Sequence, residues 1–113
     1  MHSKTEVQEI INELCIKMKH LFPHDKIDAI LFGSYAREDA GLESDVDVLL
    51  LVDASRQDIR ERNWQVGEMA ADLLMNYGIV VSPIVENRSF FHANIDALPF
   101  FSNINREGVR MSA

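Results

Sequence analysis

Apolar residues recur at Val7, Ile10, Ile11, Leu14, Met18 and Leu21, the three-and-four spacing of one helix face. Ser3 with Glu6, and Thr5 with Gln8, have capping-box spacing at its start, so an amphipathic helix is predicted that ends before Pro23. The pattern then changes: "HDKIDAILFGS" reads as a turn and a short strand over 27–32, with a sharp strand-to-helix corner at Gly33-Ser34. Residues 36–44 are too polar for a long helix and predict one or two helical turns, then a loop carrying Gly41. A second strand is predicted over 45–52.

Ser55, three positions before Asp58, can cap a second long helix with Ile59, Val66, Met69, Ala70, Leu73 and Tyr77 on its buried face and Gly78 as its stop. "IVVSPIV" predicts a third strand, and Pro83, which has no N–H to donate, demands either a sheet edge or a bulge. The tail "SFFHANIDALPFFSNINREGVRM" is broken by Pro99 into short helical pieces, the last predicted over 103–111. One Phe of each doublet is expected in the core and the other in an exposed apolar patch. Trp64 is expected at the stripe's edge, partly buried. His20, His24 and His92 lack paired ligand spacing and are expected at the surface or at hinges.

With 113 residues the chain is expected to form one domain. Its 47% hydrophobic and 26% charged residues are the balance of a chain that folds in water. No apolar run is long enough to span a bilayer, and the polar N-terminus is unlike a secretory signal, so a cytoplasmic location is expected. Cys15 has no second cysteine to pair with and reads as a packed thiol. A net charge of −7 argues against strong nucleic-acid binding, whereas acidic charge gathered at one place suits divalent cations.

Asp45 and Asp47 provide that charge. Alternate strand residues share a face, which sets them about 7 Å apart along the chain. Two such carboxylates repel each other unless a cation neutralises both, and magnesium takes one or two carboxylates beside water and phosphate oxygens. Gly33 lets a phosphate approach the backbone, and Ser34 offers its hydroxyl and the free N–H groups of the turn. Arg37, one helical turn on, can reach the same phosphates or pair with Glu38, Asp39 or a strand aspartate. Each feature alone is also an ordinary turn or a solvated strand end.

Together, "GSYAR", ten intervening residues after Gly-Ser, and "SDVDVLLLV" resemble the signature of the DNA polymerase beta nucleotidyltransferase superfamily, and more narrowly its minimal nucleotidyltransferase (MNT) group. The resemblance centres on residues 31–52; the order of elements extends it over the chain, and "NREGVRM" resembles the ending of many such small proteins. It implies an α/β (α+β) fold: a small mixed β-sheet with helices packed on it.

The resemblance further implies transfer of a nucleoside monophosphate, AMP from ATP foremost, with two magnesium ions at Asp45 and Asp47 and the triphosphate at Gly33 and Ser34. Relatives usually add a third carboxylate from the next strand. Ser82 aligns with that position and is no carboxylate, while Glu86 shares its face by parity and a bulge at Pro83 would bring it nearer. Position 38 is Glu where relatives often have Gly. The resemblance also implies a HEPN-type helical protein as partner in an antitoxin-like pair, with a partner hydroxyl as acceptor; homo- and hetero-oligomers both stay open. Against this stands a catalytically degenerate fold acting as a protein-binding module. A small-molecule transferase, of the kind that inactivates aminoglycosides, fits less well because those relatives carry extra structure to hold the drug.

Overall fold

The structure is a computed structural model and describes residues 2–111. Ser3 opens the first helix, its hydroxyl accepting from the Glu6 N–H at 3.1 Å, and α1 runs Lys4–Leu21 with Val7, Ile10, Ile11, Leu14 and Met18 buried. Strand β1 (Asp28–Phe32) leads into α2 (Ser34–Arg37), and β2 (Val46–Val52) follows. Asp45 therefore stands just outside the strand rather than as its first residue.

The helix expected after Ser55 is two helices, α3 (Arg56–Glu61) and α4 (Asn63–Tyr77). Ser55 caps the first through the Asp58 N–H, and Gly78 closes the second in the left-handed conformation at φ 67°. Between the buried anchors Ile59 and Val66 lie only exposed side chains and the half-buried Gln65, so the helix can redirect at Arg62, whose N–H is shared by the Asp58 and Ile59 carbonyls. Met69, Ala70 and Tyr77 are only half-buried, and Trp64 is 64% exposed rather than tucked under the stripe's edge.

Strand β3 occupies Val81–Asn87, two residues later than its hydropathy predicts. Glu86 is buried within it by pairing with Arg56 at 3.2 Å, and the Asn87 side chain caps α5 (Arg88–Ala93), so polar residues complete the strand. In the tail, Pro99 begins a helix instead of breaking one, because a first-turn position needs no N–H. Helix α6 is Pro99–Glu107 and ends at Gly108, so the last helix lies earlier than 103–111, and β4 (Val109–Arg110) pairs with β1. A Cβ on Gly108 would lie 2.4 Å from both the Ile104 carbonyl oxygen and Ile30 Cγ2, so glycine lets the chain cross there.

The sheet order is β3-β2-β1-β4, with β2 and β3 parallel and the other pairs antiparallel. It is the mixed sheet with packed helices that the sequence implies. Helices α1, α3 and α4 bury one face against Val48, Leu50 and Val52; Phe91, Phe101 and Ile104 of α5 and α6 pack on Leu49 and Leu51 of the other. One Phe of each doublet is thus in the core, while Phe100 remains 47% exposed. His20, His24 and His92 are exposed. The Cys15 thiol is half-buried, and burial followed by the charge of Asp28 pushes its pKa up. Among the described residues, no helix is long and apolar enough to cross a membrane.

Candidate functional site

Antiparallel pairing sets Phe32 beside Asp47, so the Gly33-Ser34 corner closes over the first residues of β2. Gly33 has φ 74° and ψ −155°, a region essentially confined to glycine. A Cβ there would also lie 2.3 Å from Asp47 Oδ2, so backbone shape and carboxylate placement need the same residue. Helix α2 has only four residues and stops at Glu38, itself left-handed at φ 62°. A left-handed backbone favours glycine, which fits the expectation of glycine at this position drawn from the resemblance.

Asp47 is the one half-exposed residue in a strand otherwise buried along its length, and it faces the α6 side with Leu49 and Leu51. The parallel register places Ser82 next to Asp47, and the Ser82 hydroxyl donates to Asp45 Oδ2 at 3.5 Å. Burial, then repulsion from Asp45, raises the Asp47 pKa, with Arg37 opposing. Arg37 itself is paired with Asp39 at 3.2 Å and Glu107 at 3.4 Å, both of which raise its pKa.

The structure therefore brings Gly33, Ser34, Arg37, Asp45, Asp47 and Ser82 to one end of the sheet. It does not bring Glu86 there. The β2–β3 register is unbroken from Val46–Val81 to Val52–Asn87, so Pro83 sits on the edge strand without a bulge, and Glu86 lies opposite Leu51 at the far end. The four-residue separation from Ser82 amounts to about 13 Å.

Two carboxylates and a hydroxyl, with burial and the charge of Asp45 disfavouring ionisation of Asp47, fit one hard divalent cation that fills its other positions with water or phosphate oxygens. Among the described residues no group of three or more His, Cys, Asp or Glu side chains is arranged to hold a metal.

A cleft of about 380 Å³ adjoins Asp47, bounded by Gly33, Ser34, Arg37 and Asp47 on one side and by Phe100, Asn103 and Glu107 of α6 on the other. These α6 residues were not legible as site residues. Their spacing of three and four marks one helix face, but that signal appears only once the helix is started at Pro99.

A family model described as a nucleotidyltransferase domain matches residues 9–98. Relatives in Methanocaldococcus jannaschii include "Putative protein adenylyltransferase MJ0604", 35% identical over 96% of this chain and 96% of its own length. A second, "Putative protein adenylyltransferase MJ0141", is 38% identical over 80% of this chain and 90% of its own length. A third, "Putative protein adenylyltransferase MJ1305", is 36% identical over 81% of this chain and 63% of its own length.

Proposed function

This chain belongs to the nucleotidyltransferase domain family, and from that premise we propose that it is a single minimal domain that transfers AMP from ATP to a hydroxyl of a partner protein. The observation that carries the reading is the contact of the Gly33-Ser34 corner with one of the two aspartates, Gly33 being fitted around the Asp47 carboxylate. The names of its relatives supply the adenylyl group and the protein acceptor.

Gly33 and Ser34 would hold the outgoing phosphates, with Arg37 exchanging a carboxylate partner for a phosphate oxygen. Asp45 and Asp47 would hold magnesium, which neutralises phosphate charge and lowers the barrier to displacement. The acceptor oxygen attacks the α-phosphorus, the α–β bridging P–O bond breaks, and pyrophosphate leaves. The acceptor proton passes to solvent water, because Asp45 and Asp47 would be committed to the metal and Ser82, beside Asp47, is no carboxylate. We place the protein in the cytoplasm, as the antitoxin-like member of a pair with a HEPN-type helical protein, which would supply the acceptor hydroxyl.

Incubating the protein with the product of its neighbouring gene, ATP and magnesium should add the mass of AMP to that product, and Asp47→Asn should abolish the gain. A second reading is favoured by Ser82, which stands where relatives usually have a carboxylate: the fold binds its partner without turnover. Tight complex formation with no mass gain, and no heat on titrating ATP and magnesium, would select it.

A further inference from the structure

Helix α6 points one face into the cleft with its chemistry graded along its length. Glu107, near its C-terminal end, pairs with Arg37; Asn103 lies one turn earlier, and Phe100 about 10 Å from Glu107 along the axis. Phe100 is half-exposed, and its ring is held in a T-shaped contact with Phe32 at 5.7 Å between centroids. A half-exposed aromatic ring held in place at the wall of a cleft offers a stacking partner to a planar ring.

We infer that α6 is the nucleoside-reading element of the site, with Phe100 stacking on the base and Asn103 selecting adenine. The inference rests on the transferase reading, which puts phosphates at the Arg37 end and so directs the nucleoside toward Phe100. An amide presents a donor and an acceptor together, matching adenine's ring N7 and exocyclic amine, whereas guanine presents two acceptors on that edge. Arg106 donates to Asn103 Oδ1 at 2.9 Å, which holds the amide oxygen and leaves its N–H groups and a second lone pair for the base.

Calorimetric titration of the full chain with magnesium and ATP, GTP or inorganic tripolyphosphate separates the two ends of the site. Phe100→Ala should weaken ATP about ten-fold and leave tripolyphosphate unchanged, while Phe100→Trp should retain ATP. Asn103→Ala should bring ATP and GTP affinities together. Unchanged ATP affinity in Phe100→Ala, or equal losses of ATP and tripolyphosphate, would overturn the assignment of α6 while the Asp47-dependent transferase reading stands. A wild-type protein that binds neither ATP nor tripolyphosphate would overturn both.

Discussion

Asp47 sets function against stability within one side chain. Its pKa is raised in the fold, by burial first and then by Asp45, so ionisation costs folding free energy at neutral pH. That cost disappears as pH falls through the raised value and then below the ordinary carboxylate range of about 4. Asp47→Asn should therefore raise the melting temperature at pH 7 and lose this advantage under acid. Magnesium should raise the melting temperature of the wild type and leave Asp47→Asn unmoved. Thermal scans across pH, with and without the metal, check both. Glu38 makes a complementary case: its left-handed backbone is strained, and its ion pair with Lys4 joins two exposed side chains. Glu38→Gly should raise the melting temperature by roughly 4 °C in a differential scan.

Among the elements, the end of the sheet away from the site is tied together by Arg88. From the first turn of α5 its guanidinium bonds Asp28 of β1 at 2.9 Å, the Leu51 carbonyl of β2 at 3.2 Å, and Asp53. Asp28 is buried; burial alone would raise its pKa, but Arg88, Arg110 and Lys26 overcome that and lower it. This stabilisation is present above the ordinary carboxylate range and is lost as pH falls through the depressed value. Arg88→Ala leaves a buried carboxylate short of its main partner and should cost about 3 kcal/mol in urea unfolding, with Asp28→Asn restoring part of the loss. Long elements were readable wherever one face alternates with solvent, as in α1. The strand β3 and the tail were displaced because Glu86 and Gly108 are used against their ordinary preferences: a carboxylate buried on Arg56, and a glycine selected by contact with Ile30 rather than by a turn.

For the molecule as a whole, a net charge of −7 and the Asp47 and Glu107 carboxylates lining the cleft oppose the approach of a triphosphate. Without divalent cations, raising ionic strength should strengthen ATP binding by screening that repulsion, the reverse of the salt response of a nucleic-acid binder. Equilibrium dialysis at two salt concentrations measures the sign. The sequence by itself determined the helical and strand periods, the Gly-Ser corner and the aspartates opening a buried run, because each depends on residues close together in the chain. Only the tertiary structure decided that the β3 residue beside the pair is a hydroxyl and not a carboxylate, and what faces Asp47 across the cleft. Strand register carried Glu86 away and left Ser82 in place, and α6 crossed from the far end of the chain to bring Phe100, Asn103 and Glu107 opposite Asp47. Such choices rest on contacts between residues remote in sequence, where spacing along the chain holds no information.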